Sequence, residues 1–231
     1  MTPDDQKKAA AEAAAFLVED GMVVGLGTAS TADFFTRALA RRAAVENLRI
    51  RGVPTSKATE ELARAGAIPL IGLDEAGEVD LVVDGADEIG PGLDVIKGGG
   101  GALLREKLVW EAARRRIVIA HGAKRVARLG GFPLPVEVVG YGHAVTARRM
   151  AHAVAALGVQ VTPRLREAHG KPVASDGGNP IYDLPCGTIA DAHALARTLK
   201  GITGVIEHGL FLGLADEALI GTDDGVIRIA S

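Results

Sequence analysis

The chain has 231 residues, of which 48% are hydrophobic and 24% charged, with a formal net charge of −3 at pH 7. That balance fits a globular protein rather than a disordered or fibrous one and carries no electrostatic footprint for nucleic acid. One cysteine, Cys186, excludes an internal disulfide and a cysteine-rich zinc site. No apolar stretch reaches the ~20 residues of a membrane span. The acidic start, Met1-Thr2-Pro3-Asp4-Asp5, lacks the apolar core of a secretion signal, so a cytoplasmic protein is expected.

The first 130 residues alternate helix and strand patterns. Asp4 to Asp20 is alanine-rich and reads as a helix stopped at Gly21. Met22 to Gly27 is a buried strand, and a helix follows from Thr31 to about Arg42. Leu48 to Val53 is a strand, Thr55 to Ala65 a helix, and Ile68 to Ile71 and Val79 to Val83 are short apolar runs. A helix from about Ala102 to Arg115 precedes the strand Ile117 to Ala120. Arg114, Arg115 and Arg116 then fall at its end, complementing the helix dipole. This rhythm predicts an α/β fold with a mostly parallel, Rossmann-like sheet and helices on both faces.

Near Gly130 the pattern changes, and the prolines of Phe132-Pro133-Leu134-Pro135 suit a domain crossing. Val136 to Val139, Ala144 to Leu157, Val159 to Leu165, Ile181 to Leu184, Ala190 to Lys200 and Val205 onward read as strand, helix, strand, strand, helix, strand. That is the split βαβ, ferredoxin-like order. The expected domains are residues 1–130 with 207–231, and a small α+β domain at 131–206. The tail, with Leu219-Ile220-Gly221 and Val226 to Ile229, is expected to return to the first domain.

Thirty glycines are nearly twice the usual share, and they cluster where chemistry could reside. Gly25-Leu26-Gly27-Thr28-Ala29-Ser30 sits between a strand and a helix like a dinucleotide fingerprint. Ser30 replaces its third glycine, however, and the next strand ends at Val53-Pro54 without the carboxylate that binds ribose hydroxyls. Thr28, Ser30 and Thr31 instead place three hydroxyls beside a helix start, which suits a phosphate monoester; equally, Ser30 or Thr31 suits a simple helix cap. Asp84-Gly85-Ala86-Asp87-Glu88 follows a strand, at the carboxyl end where α/β sheets place ligands; a solvated turn or a magnesium site are the competing readings. Lys97-Gly98-Gly99-Gly100-Gly101-Ala102 is the strongest local signal. Four glycines before a helix let several N–H groups converge on one anion, with Lys97 adding a cation. Spacing alone does not single out Glu106 on that helix, and Trp110 one turn later reads as packing. The six histidines lack paired metal-ligand spacing, and no Gly-x-Ser-x-Gly elbow occurs.

In order, these segments resemble ribose-5-phosphate isomerase, type A. The resemblance is carried by Gly25 to Thr31, Asp84 to Glu88, Lys97 to Ala102 with Arg105-Glu106-Lys107, and Phe132 to Glu137. It extends to Gly209-Leu210-Phe211 and Leu219-Ile220-Gly221. It implies interconversion of ribose 5-phosphate and ribulose 5-phosphate in the pentose phosphate pathway, without metal or organic cofactor, by a homodimer or homotetramer. It makes Glu106 the catalytic base. Substrate contacts map to Thr28, Ala29, Ser30 and Thr31, to Asp84, Gly85, Ala86 and Asp87, to Lys97, Gly98, Gly99 and Gly100, and to Lys124. Asp84, Asp87 and Lys97 join Glu106 in the catalytic set. Two departures stand out. The family usually has glycine at the position of Ala29, and Asp-x-Ser-Lys where this chain has His121-Gly122-Ala123-Lys124. The rival readings are a sugar-phosphate sensor, a nucleotide-dependent dehydrogenase and a metal-dependent aldolase or isomerase.

Overall fold

A computed structural model of the chain describes residues 1–230. In chain order the elements are α1 (Pro3–Ala15), β1 (Val23–Leu26), α2 (Ser30–Glu46), β2 (Arg51–Pro54), α3 (Lys57–Ala65), α4 (Leu73–Ala76) and β3 (Val79–Gly85). Two short strands, β4 (Glu88–Ile89) and β5 (Val95–Ile96), precede α5 (Leu103–Glu111) and β6 (Ala113–His121). There follow β7 (Leu134–Val138), α6 (His143–Ala155), β8 (Arg164–Leu165), β9 (Glu167–Ala168), β10 (Lys171–Pro172), β11 (Ile181–Leu184) and α7 (Ala192–Lys200). The chain closes with β12 (Val205–His208), β13 (Leu210–Phe211), β14 (Glu217–Thr222) and β15 (Gly225–Ala230). None of the described helices is long and apolar enough to cross a membrane.

Two compact units emerge. The first holds Met1–Ala86, Arg105–Arg125 and Gly213–Ser231; the second holds Asp87–Leu104 and Val126–Leu212. The first is built on a six-stranded sheet ordered β15-β14-β6-β3-β1-β2, parallel except for the β14–β15 hairpin. Its central strands are apolar on both sides, as a covered parallel sheet requires. Ala10, Ala11 and Ala14 of α1, Phe35 and Leu39 of α2 and Ala63 of α3 pack with Leu26, Leu81, Val83, Ile117 and Ile119. On the other face, the Val109 side chain of α5 comes down onto Gly25 and Val82. The tail joins this sheet through β14 and β15, as the sequence predicted.

The second unit's four-stranded sheet runs β12-β7-β11-β8, all antiparallel, which is the strand order of the expected split βαβ arrangement. Leu195 and Leu199 of α7 and Met150 and Val154 of α6 share its core with Leu134, Val136, Val138 and Leu184. The unit also takes in a three-stranded sheet, β13-β5-β4, that periodicity did not reveal.

Three expectations need correction. Helix α1 ends at Ala15 rather than Asp20. The strand expected over Val159 to Leu165 is reduced to Arg164–Leu165. Helix α5 ends at Glu111, so Arg114, Arg115 and Arg116 lie in β6 and not at a helix terminus. Strand is favoured because each arginine meets a carboxylate across the sheet. Arg114 pairs with Glu78, Arg115 reaches Glu217 at 3.0 Å, and Arg116 Nε reaches Asp216 at 3.0 Å.

Candidate functional site

The sequence-predicted residues divide between the two units. In the first, the carboxyl ends of the parallel strands β1, β3 and β6 carry Gly27, Asp84-Gly85 and His121, the edge where such sheets bind ligands. Asp84 is completely buried. Its Oδ1 accepts from the backbone N–H of Thr28 at 3.0 Å and of Gly85 at 2.7 Å, and its Oδ2 accepts from the indole N–H of Trp110 at 3.2 Å. One carboxylate therefore ties together the loop after β1, the end of β3 and helix α5. The loop passes so close that a Cβ on Gly27 would lie 2.3 Å from Asp84 Oδ1, so only glycine fits there. Trp110 packs as expected and also braces Asp84.

The Thr28 hydroxyl is not simply presented to solvent. It lies 2.7 Å from the Thr55 hydroxyl and 3.2 Å from that of Thr59. Thr55 donates to the Leu26 carbonyl at 3.0 Å and Thr59 to the Gly27 carbonyl at 2.9 Å. Sequence reasoning missed Thr55, Ser56 and Thr59, because they lie 27 to 31 residues from Thr28 and had no local signature. At the start of α2 the N-cap is Ala29, without a side-chain cap, so neither Ser30 nor Thr31 fills the capping role that competed with anion binding. The helix start keeps its positive dipole end and its N–H donors for another acceptor. Ala29 itself sits at φ 82°, ψ 174°, a region that an L-residue with a side chain enters at a cost.

At the end of β6, burial and the neighbouring charges of Lys124 and Lys7 hold the His121 imidazole below its ordinary pKa, which keeps it neutral at pH 7. Lys7, ion-paired to Asp4 at 2.9 Å, was also missed, because an alanine-rich helix gave no reason to distinguish one of its lysines. Lys124, Lys7 and the Asp4 carboxylate paired to Lys7 are thus the charges around this strand end. Glu106, on the first turn of α5, is buried, with 3% exposure.

In the second unit, the glycine run forms a tight turn. Gly98 (φ 102°) and Gly101 (φ 82°) take left-sided backbone, and the Gly101 N–H donates to the Gly98 carbonyl at 2.9 Å. The Gly99 N–H donates to Asp87 Oδ2 at 2.7 Å. The expected convergence of amides on a foreign anion is thus partly satisfied within the chain, since Asp87 is itself the anion that the Gly99 amide meets. The turn's oxygens face a cation. Arg166 Nη1 donates to the carbonyls of Gly98 at 2.8 Å and Gly99 at 3.2 Å. Lys97 is buried, with its ammonium 5.7 Å from the centre of the Phe211 ring, and its N–H donates to the Gly209 carbonyl at 2.9 Å. Glu88, the last acid of the turn, has a scaffolding role, accepting the N–H groups of Gly130 at 2.7 Å and Phe132 at 2.6 Å. Among the described residues no group of three or more His, Cys, Asp or Glu is placed to hold a metal ion.

Each unit thus carries groups suited to a small anionic polyol: in the first the buried Asp84 and Glu106 and the uncapped start of α2, in the second the buried Lys97, Asp87 and the glycine turn. The family model for ribose 5-phosphate isomerase A (phosphoriboisomerase A) matches residues 51–225. The ribose-5-phosphate isomerase A of Caulobacter sp. (strain K31) is 60% identical over 229 residues, 99% of each chain. Ribose 5-phosphate isomerase A from Methanocaldococcus jannaschii superposes with a TM-score of 0.91 at 40% identity, covering 100% of both chains. A D-ribose-5-phosphate isomerase solved in complex with phospho-erythronic acid gives 0.92 at 35% identity, again over 100% of both chains. With likeness of that degree running from end to end, the chain belongs to the ribose-5-phosphate isomerase A family.

Proposed function

We propose that this protein interconverts D-ribose 5-phosphate and D-ribulose 5-phosphate through an enediolate, in the pentose phosphate pathway. The observation that carries the reading is the full-length likeness to an isomerase holding phospho-erythronic acid. The carboxylate of that short phosphorylated acid resembles the charge an enediolate develops at C1 and C2. Transition-state-like anions of this kind bind where an enzyme stabilises developing charge.

The reaction needs a base for the carbon-bound proton, cations or N–H groups for the growing oxyanion, and hydroxyl contacts that open the ring and hold the chain. Glu106 removes the proton from C2 and returns it to C1. Its burial supports this role, because it keeps the carboxylate apart from bulk water. Lys97 and the amides of the Gly98 to Gly100 turn stabilise the enediolate oxygens. Asp87, fixed by the Gly99 amide, takes a sugar hydroxyl and assists ring opening. Asp84 shares that role and also holds the Thr28 loop in place. Thr28, Ala29, Ser30 and Thr31 hold the phosphate at the start of α2, with Gly85 and Ala86 lining the path. Lys124, joined by Lys7, supplies phosphate charge. The protein is cytoplasmic and works as a homodimer or homotetramer, in line with the family resemblance, and uses no metal or organic cofactor.

The test is an isomerase assay on ribose 5-phosphate in EDTA, with arabinose 5-phosphate and unphosphorylated ribose as comparison substrates. Turnover of ribose 5-phosphate alone supports the reading; no turnover of any of the three removes it and favours a sensor. Glu106→Gln is expected to keep KM within about threefold and to lose roughly 10²–10⁴ in kcat. Near-normal kcat in that variant would take Glu106 out of the base role.

A further inference from the structure

Arg166 lies in no segment that the sequence singled out, yet it grips the glycine turn directly. Its Nη1 donates to two consecutive carbonyls, those of Gly98 and Gly99. Its Nε and Nη2 form a two-pronged pair with Asp183 on β11, the Nε bond being 2.9 Å. The pair is largely shielded, with side-chain exposures of 14% for Arg166 and 25% for Asp183. A two-point carboxylate contact fixes the guanidinium plane, so the remaining donor has one direction in which to reach.

The geometry of the peptide group determines what that grip does. A trans peptide is planar and directs its N–H opposite to its C=O, and no peptide here is cis. The Gly98 carbonyl shares its plane with the Gly99 N–H, and the Gly99 carbonyl with the Gly100 N–H. With both oxygens turned to Arg166, both N–H groups face away from it. The first meets Asp87 Oδ2 at 2.7 Å. The second points in the same general sense, in a stretch where Gly99 and Gly100 are exposed. A guanidinium on the oxygens also polarises both peptides, strengthening their N–H groups as donors.

We infer that Arg166, oriented by Asp183, is a positioning residue that aims the Gly99 and Gly100 amides and thereby sets Asp87 for the isomerisation. The inference rests on the proposed isomerase activity. It assigns no contact between Arg166 and substrate; Arg166 acts through the turn.

The experiment uses the full chain as wild type, Arg166→Ala, Arg166→Lys and Asp183→Asn, with kcat and KM on ribose 5-phosphate. Binding of phospho-erythronic acid and of inorganic phosphate is measured in parallel by calorimetry. Arg166→Ala is expected to lower kcat about 10- to 100-fold, the range for losing one aimed oxyanion donor or less, with KM changed less than about threefold. Affinity for phospho-erythronic acid should fall in step with kcat, while that for inorganic phosphate stays level. Guanidinium at tens of millimolar should restore part of the Arg166→Ala rate, and Arg166→Lys should recover only a fraction, since one ammonium cannot fork across Asp183 and two carbonyls. If Arg166→Ala does not fold, Asp183→Asn, which keeps the guanidinium but loosens its plane, is read by the same criteria. A kcat within about threefold of wild type, or phosphate affinity that falls together with kcat, overturns the inference. If the wild type itself fails to isomerise, the proposed function falls, and the two binding affinities still decide whether Arg166 aims the turn.

Discussion

The two glycine-bearing turns of this chain are both held by side chains, yet a Cβ added to each would meet something different: the backbone of a central strand at Gly27, the end of a side chain at Gly99. The Gly27 to Thr31 loop is fixed by side chains: Asp84 takes the Thr28 amide, Thr59 holds the Gly27 carbonyl, Thr55 holds the Leu26 carbonyl just before it, and both threonines meet the Thr28 hydroxyl. Everything is packed beneath it, and a misfit has nowhere to go. The Gly98 to Gly101 turn is likewise held by side chains, Arg166 on its oxygens and Asp87 on an amide, together with its own Gly101 N–H to Gly98 carbonyl bond. A Cβ on Gly99 would meet only the end of the Asp87 side chain, so a misfit displaces a partner instead of breaking the fold. In the proposed function the first loop only has to hold a constant group, the phosphate, and such a loop tolerates being built into the core. In the same proposal the second turn meets charge as it moves between two oxygens, and there a carboxylate that can swing, Asp87, is set against a guanidinium held in one plane.

Substitution of the glycines breaks this comparison most sharply. Gly27→Ala puts a Cβ 2.3 Å from Asp84 Oδ1 and 2.5 Å from the Asp84 Cα, a backbone atom of a central strand. Neither can retreat, and the expected loss of stability is about 3 kcal/mol or more, the upper range for overpacking a core. Urea denaturation should show it; a loss below about 1 kcal/mol would mean the loop is far looser than its contacts imply. Gly99→Ala puts a Cβ 2.6 Å from Asp87 Oδ1, the end of a side chain that can swing. Stability should change by less than about 1 kcal/mol, while kcat falls roughly 10- to 100-fold, because an ångström of displacement at a catalytic group costs on that order. Unfolding in Gly99→Ala with full activity in the surviving fraction would reverse the assignment of the two turns.

The same contrast explains what the sequence revealed and what it hid. Gly25 to Thr31 and Lys97 to Gly101 are contiguous, and their unusual composition is visible in a short window; so is the strand order of the split βαβ unit, which follows from hydrophobic runs. The braces are not contiguous. Thr59 lies 31 residues from Thr28 and Arg166 lies 68 from Gly98, and ordinary threonines and arginines carry no mark of where the fold will bring them. Strands β4, β5 and β13 have two residues each, too few for a period of two to register. Helix α5 was extended into Arg114 to Arg116 because charged residues suit a helix end, whereas the carboxylates that hold them in a strand, Glu78, Asp216 and Glu217, are 36 to 102 residues away in sequence. Glu106 was legible only through the family resemblance. A buried glutamate on a short helix has no periodicity of its own.

Ala29 gives the finest test of how firmly the first loop is held. Its φ of 82° with ψ of 174° lies in a region that is essentially glycine's, and a residue with a Cβ there stores about 1–3 kcal/mol of strain. The surrounding contacts must over-determine the loop to keep it so. Ala29→Gly removes the strain but frees the unfolded chain, which costs about 0.4–1 kcal/mol in the opposite direction. The balance favours glycine by about 1 kcal/mol, so the melting temperature should rise by roughly 2–4 °C for a chain of this size. Substrate affinity should hold within about twofold, because Asp84 and the threonine hydroxyls, not the alanine, set the path of the backbone. A melting temperature that stays level or falls would show that the loop has already relaxed around Ala29. In that case the side-chain grip on the first turn is weaker than the hydrogen bonds of Asp84, Thr55 and Thr59 imply.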